Sequence, residues 1–233
     1  MDGVLSCVYA VFAFLRIIFA LFFILALRRK LKMVGSIILV ILGVMALIGI
    51  GNSAVKDFGV PVIALVLVFA AVVGLNFIPV IQWGNFSFSL GTALLFVVTF
   101  SLWLFRGSIK NRIACLLITI VLSGLLYGAT RLSAYYGSEL WSTVNYYYAL
   151  VIGFLAFVAT RNAKYGFIAS VLSVFVATLL TQIGRPVVLD AAYSQAIVAG
   201  GLSVVLYCLT SAFMPKRPSK LSYYFEAGRM LDR

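Results

Sequence analysis

Residues 58–81 read FGVPVIALVLVFAAVVGLNFIPVI, an apolar run without a charged side chain. A helix needs about 20 mostly apolar residues to cross the roughly 30 Å hydrocarbon core of a bilayer. The run is long enough, and it lacks the polar–apolar alternation of a membrane β-strand. Because a helix satisfies its backbone hydrogen bonds internally, as lipid requires, the run predicts a transmembrane helix.

Seven further runs are similarly apolar, and of these only the run 4–27 contains a charged residue, Arg16. They are residues 4–27, 33–50, 88–105, 113–130, 144–160, 165–183 and 196–214. Of the 233 residues, 64% are hydrophobic and 10% charged, whereas a soluble domain has about 25% charged residues. The sequence predicts an all-α, polytopic transmembrane helix bundle of seven or eight spans, with one membrane domain at residues 1–215 and no soluble domain.

The net charge of +12 comes from short basic clusters between the apolar runs. Such clusters are typical of loops on the cytoplasmic side, where anionic lipid attracts them, and not of a nucleic-acid interface. From residue 106 onward, basic connections alternate with connections of balanced charge. The basic group comprises Arg106, Lys110, Arg112, Arg161, Lys164, Lys216, Arg217 and Lys220. The balanced pairs are Arg131 with Glu139 and Arg185 with Asp190, which we expect outside.

This alternation predicts a multi-pass membrane protein with a basic cytoplasmic tail at residues 216–233. The N-terminal half does not fit this alternation. Three runs separate RRKLK (residues 28–32) from the basic loop at Arg106, and an odd number of crossings would put the two basic segments on opposite sides. Either RRKLK is external or one run does not cross fully. The short run 33–50 is the first suspect, so the side of the N-terminus stays open.

Catalytic and metal-binding patterns are missing from the chain. It has no histidine, and none of its six carboxylates falls inside a predicted span. A buried carboxylate pair, an HExxH metal motif, a GxSxG motif and a phosphate-binding loop with lysine are all missing. The three cysteines lie in apolar runs without metal-ligand spacing. The sequence favours a non-enzymatic protein without metal, cofactor or nucleic-acid partner.

Two regions hold candidate ligand or helix-contact residues. Arg16 lies deep in the first run, where a charge either faces the bundle interior or snorkels to the surface. The second region is a polar break between apolar runs, where transporters often bind substrate, although a simple outer turn has the same composition. Its candidates are Asn76, Pro79, Gln82 and Asn85, together with Gln182 and Arg185 at the end of a later run.

Small residues recur at four-residue spacing in several runs, which is typical of close helix packing but also arises by chance. The pairs are Ala70/Gly74, Gly124/Gly128, Gly166/Ser170 and Ala196/Gly200.

Three segments together resemble an uncharacterised family of prokaryotic multi-pass membrane proteins. They are AVKDFGVPVIALVLVFAAVVGLNFIPVIQWGNFSFSLGTALLFVVTFSLWLF (residues 54–105), RNAKYGFIASVLSVFVATLLTQIG (161–184) and AYSQAIVAGGLSVVLY (192–207). In that family an apolar helix ends in an Asn-x-Pro-like turn, and a helix bearing paired glycines follows. Here Gly91-Thr92 stands at the glycine pair. The resemblance implies a multi-pass helical fold in the plasma (inner) membrane of a bacterium, and no mechanism.

Two functions remain from the sequence. One is a non-enzymatic scaffold or complex subunit that contacts the lipid bilayer and other membrane proteins. The other is a small permease or a lipid or solute carrier with a polar site near Asn76–Asn85 and Gln182/Arg185. A polar cavity lined by Asn76, Gln82 and Gln182 would favour the carrier, and a dry, close-packed bundle would favour the scaffold.

Overall fold

The computed structural model describes residues 33–49, 52–105, 108–136 and 146–213, apart from the side chains of Met33, Ala191, Ala212 and Phe213. This part of the chain is mostly helical, which confirms the all-α prediction. Its helices are α1 (Met33–Ile48), α2 (Asn52–Phe58), α3 (Val62–Asn76), α4 (Leu90–Phe105), α5 (Ile109–Tyr136), α6 (Tyr147–Thr160), α7 (Ala163–Thr181) and α8 (Asp190–Phe213). Three short strands, β1 (Ile81–Trp83), β2 (Phe86–Phe88) and β3 (Val187–Val188), form one small sheet.

Within the described ranges, three helices are long and apolar enough to cross a membrane: α5, α7 and most of α8 (Ala192–Ser211). The helices α3, α4 and α6 are apolar but shorter. The short run 33–50, whose full crossing was in doubt from the sequence, contains α1, and α1 meets α2 at a bend of 103°. The predicted run 58–81 is divided, since Gly59 adopts a φ of 64° and Pro61 precedes α3. The run 4–27 and the tail lie outside the described residues.

Helix α7 forms the centre of the bundle. Its side chains from Ala163 to Ala177 are almost all buried, and it packs against α4, α5, α6 and α8. The Phe175 ring meets Phe96 of α4 edge to face at 5.7 Å, and Phe167 meets Phe58 of α2 at 5.8 Å. A helix that is apolar all round is expected to be enclosed by its neighbours, as this one is.

Glycines permit the closest helix contacts. A Cβ built on Gly91 of α4 would lie 2.5 Å from the Val72 carbonyl oxygen of α3. A Cβ on Gly153 of α6 would collide with the Ala199 carbonyl of α8. The predicted pairs Gly166/Ser170 and Ala196/Gly200 are buried, which confirms them as packing positions.

The other two small-residue pairs do not pack inside the described bundle. Ala70 and Gly74 of α3 are exposed, as are Gly124 and Gly128 of α5, and a Cβ on any of these three glycines would meet nothing within 4 Å. Close packing at these two pairs is not seen among the described residues, because four-residue spacing identifies a helix face but not what that face meets.

The two ends of the bundle differ in charge. At one end, called the basic end, the start of α7 meets α2 and the start of α5: the Ala163 N–H donates to Asp57 Oδ2 (3.3 Å), and the Cys115 thiol approaches the Tyr165 carbonyl (3.8 Å). Lys56, Arg112 and Lys164 lie on these helices. At the opposite end, called the sheet end, the three strands lead into α4 and α8. The basic loops around Arg112 and Arg161 therefore share one end, as the charge alternation predicts.

Candidate functional site at the sheet end

The small sheet joins the two polar breaks that the sequence singles out. β1 pairs with β2 in antiparallel fashion, with Trp83 opposite Phe86. β2 pairs with β3 in parallel fashion, with Phe86 opposite Val187. Gly84, at a φ of 59°, supplies the turn between β1 and β2, because a residue without Cβ adopts positive φ at little cost. The segments 76–89 and 182–190 are thereby brought together.

A buried carboxylate connects the starts of α4 and α8. Asp190, the first residue of α8, is 8% exposed. Its Oδ1 accepts the backbone N–H of Ser89 (2.6 Å) and the hydroxyl of Thr92 (3.1 Å). A buried charge is costly unless it is hydrogen-bonded, and a helix N-terminus favours negative charge. The local geometry thus stabilises Asp190 as a carboxylate.

Ser89 links this carboxylate to the end of α3. Its hydroxyl donates to Asn76 Oδ1 (2.7 Å) and lies 2.8 Å from the Thr92 hydroxyl. The Thr92 N–H also donates to Ser89 Oγ (3.3 Å), the contact of a helix N-cap. Gly91, between them, lets α4 approach Asn76 without a clash. Asn76, Ser89, Thr92 and Asp190 form one hydrogen-bonded group, called here the Asp190 cluster.

Gln182 has a structural role in the loop between α7 and α8. Its Oε1 accepts the Val188 N–H (2.7 Å) and its Nε2 donates to the Val188 carbonyl (3.4 Å). These two bonds close the loop around Gly184, whose φ is 81°. The Gln182 amide is therefore engaged with the backbone of its own loop.

An open pocket of about 490 Å³ lies between the hairpin and this loop. Asn85, Gln182 and Arg185 contribute its polar side chains, and Phe86, Leu179, Ile183 and Val187 are among its apolar ones. The pocket is wide open to the outside of the protein and is therefore a surface depression. Chemically it fits a small neutral or anionic group beside the Arg185 guanidinium.

The bundle interior contrasts with this pocket. Two cavities of about 40 and 70 Å³ lie around Phe58, Phe69 and Phe167, and their walls are almost entirely apolar. Cavities of this character stay dry, because water needs several polar partners to occupy them.

The predicted site residues fall into three groups in the structure. Asn76 and Gln182 are engaged in internal hydrogen bonds. Pro79, Gln82, Asn85 and Arg185 are exposed at the sheet end. Arg16 lies outside the described residues. Among the described residues, Asn76 and Gln182 do not line one cavity with Gln82. Asn76 belongs to the Asp190 cluster, whereas Gln182 lines the open pocket.

Asp190, Ser89 and Thr92 are not among the site residues that the sequence predicts. Asp190 was expected in an external loop paired with Arg185, but it begins a helix and is buried. A signal was available, since Ser and Asp before apolar runs are common helix-start residues. Their mutual contact depends on the parallel pairing of β2 with β3, which no local pattern reveals. Within the described residues, no group of three or more His, Cys, Asp or Glu could hold a metal ion.

No family model, curated protein or solved structure matches this chain.

Proposed function

We propose that this chain is a non-enzymatic scaffold or complex subunit of the plasma (inner) membrane, built of seven or eight spans and presenting apolar helix faces to lipid and to other membrane proteins. The three long apolar helices are compatible with membrane residence. The shorter helices α3, α4 and α6, the bent pair α1–α2 and the run 4–27 would supply the remaining spans.

The single observation that carries the proposal is how the polar groups of the bundle are used. The Asp190 cluster and Gln182 are engaged in internal hydrogen bonds, and the two cavities beside Phe167 have almost entirely apolar walls. A transport pathway needs polar groups that can exchange partners with a solute or an ion. The Asp190 cluster instead holds α3, α4 and α8 together and Gln182 closes its own loop, and exposed apolar faces remain on the outside.

Photo-crosslinking in the native membrane tests the proposal. A photoreactive residue replaces one exposed side chain on each of four helices: Leu67, Val97, Ile120 and Val158. Ile168 of α7, at 0% exposed, is the matched internal control. We expect a defined protein adduct at one or two of the exposed positions and none at Ile168. Lipid adducts alone at all four positions, with a monomer on purification, would contradict the scaffold.

The second candidate is a small permease or a lipid or solute carrier, favoured by the open pocket beside Arg185. Its substrate would be neutral or anionic, because the buried carboxylate of Asp190 already accepts donors from α4. Native mass spectrometry of the purified protein distinguishes this candidate. A bound small molecule that Arg185→Ala removes, and that Arg131→Ala retains, would favour the carrier over the scaffold. Both arginines are exposed, so the second variant controls for loss of surface charge.

A further inference from the structure

The hairpin of β1 and β2 carries large exposed apolar side chains and no charge: Trp83 is 79% exposed and Phe86 48%. Phe77, which follows the last residue of α3, is 65% exposed. The chain has no charged residue between Asp57 and Arg106, so α3, the hairpin and α4 form one uncharged segment. Ile183, 72% exposed, extends this surface onto the neighbouring loop. An exposed apolar patch of this kind marks contact with a partner or with lipid.

Helix length places this hairpin near the edge of the hydrocarbon core. The 15 residues of α3 and the 16 of α4 rise about 22–24 Å, less than the roughly 30 Å of the core. At their other ends, Lys56 and Asp57 precede α3 and the basic start of α5 follows α4. If those charges stand at one membrane surface, the hairpin starts at the far boundary of the core and not in open water.

The hairpin backbone and its polar side chains agree with this depth. Among the described residues β1 pairs only with β2, so its outer edge needs water or headgroup oxygens and cannot lie deep in hydrocarbon. Gln82 and Asn85 are exposed on the same hairpin and can bond to headgroups. Tryptophan prefers the membrane–water boundary, where its ring is apolar and its N–H still finds an acceptor.

We propose that the β1–β2 hairpin lies in the lipid interface, with the Trp83 ring at the boundary between headgroups and acyl chains. The occupant of this exposed surface is therefore phospholipid and not water or a second protein. The proposal is independent of whether the protein is a scaffold or a carrier.

Depth-dependent quenching of a single tryptophan tests this placement. The chain with Trp103→Phe and Trp141→Phe retains Trp83 alone, and it is reconstituted in phosphatidylcholine vesicles. The acyl chains carry a spin label either near the carbonyl end or near the methyl end. We expect stronger quenching by the carbonyl-end label, and iodide quenching well below that of free tryptophan.

Two results would overturn the proposal. Iodide quenching as strong as that of free tryptophan, with no effect of either label, would place Trp83 in water. Quenching by neither iodide nor lipid label would mean that protein covers the ring. The matched control retains only Trp103, which is half-buried and donates its Nε1–H to the Arg112 carbonyl at the basic end.

A second measurement covers a failure of the Trp103→Phe chain to fold. An environment-sensitive fluorophore on Asn85→Cys, in a chain whose native cysteines are replaced, reports the same depth at the hairpin turn. Blue-shifted emission that the carbonyl-end label quenches would support the proposal. Emission typical of water, unaffected by the lipid labels, would refute it.

Discussion

At the scale of single residues, Asp190 accepts hydrogen bonds from a backbone group and a hydroxyl of another helix start. Both donors belong to the four residues Ser89–Thr92, so one carboxylate fixes where α4 begins relative to α8. Interhelical hydrogen bonds in membrane proteins contribute about 0.6–2 kcal/mol each, and a charged acceptor places them at the upper end. The cluster therefore stabilises the contact between α4 and α8 at the sheet end.

A pair of threonine variants measures this contribution. Thr92 and Thr99 both lie on α4 at 0% exposed, but Thr92 donates to Asp190 whereas Thr99 donates to Leu95 in its own helix. We expect Thr92→Val to lower the free energy of unfolding by about 1–2 kcal/mol more than Thr99→Val, because it removes a donor from a buried charge. Equilibrium unfolding in mixed detergent micelles gives both values. Equal losses would show that the contact with Asp190 adds nothing.

At the scale of helices and strands, apolar runs predicted most of the helices because lipid and a buried core favour the same long runs. The helix boundaries differ from the ends of the apolar runs where single residues set a helix start. Helix α3 begins after Pro61, and α8 begins at Asp190, six residues before the predicted run. The three strands could not be predicted, since β1 and β2 have three residues each and β3 two, and the pairing of β2 with β3 joins segments about 100 residues apart. The Asp190 cluster depends on that pairing, so it could not be predicted from the sequence either.

Four glycines test which helix faces pack. Gly91→Ala and Gly153→Ala place a Cβ against the carbonyl oxygens of Val72 and Ala199, and we expect each to destabilise the protein by roughly 1–3 kcal/mol through overpacking. Gly124→Ala and Gly128→Ala on α5 meet no atom within 4 Å. These two should be neutral or stabilising by up to about 1 kcal/mol, because alanine is the better helix former.

Thermal unfolding of the four variants in one detergent provides the comparison. Destabilisation at Gly124 or Gly128 equal to that at Gly91 would contradict the packing described for α5. It would then indicate that another copy or another segment covers that face.

At the scale of the whole molecule, charge and length together orient the bundle. The basic end gathers Lys56, Lys110, Arg112 and Lys164, whereas the sheet end carries the uncharged hairpin. A bilayer keeps positively charged loops on the cytoplasmic side, so we expect the basic end inside and the sheet end outside. The C-terminal end of α8 lies near α2, where Ser53 and Ser211 hydroxyls are 2.9 Å apart. This contact places the last described helix turn at the basic end, in agreement with a cytoplasmic tail.

Helix α5 permits a direct test of this orientation, because its 28 residues rise about 42 Å, more than the roughly 30 Å hydrocarbon core. Asn111 in its first turn and Ala134 near its end are both exposed, so Asn111→Cys and Ala134→Cys form a matched pair on one helix. In intact cells that produce a chain without native cysteines, we expect a membrane-impermeant maleimide to label Ala134→Cys only. After permeabilisation both should react. Labelling of both in intact cells would show that α5 does not cross, and labelling of Asn111→Cys alone would reverse the orientation.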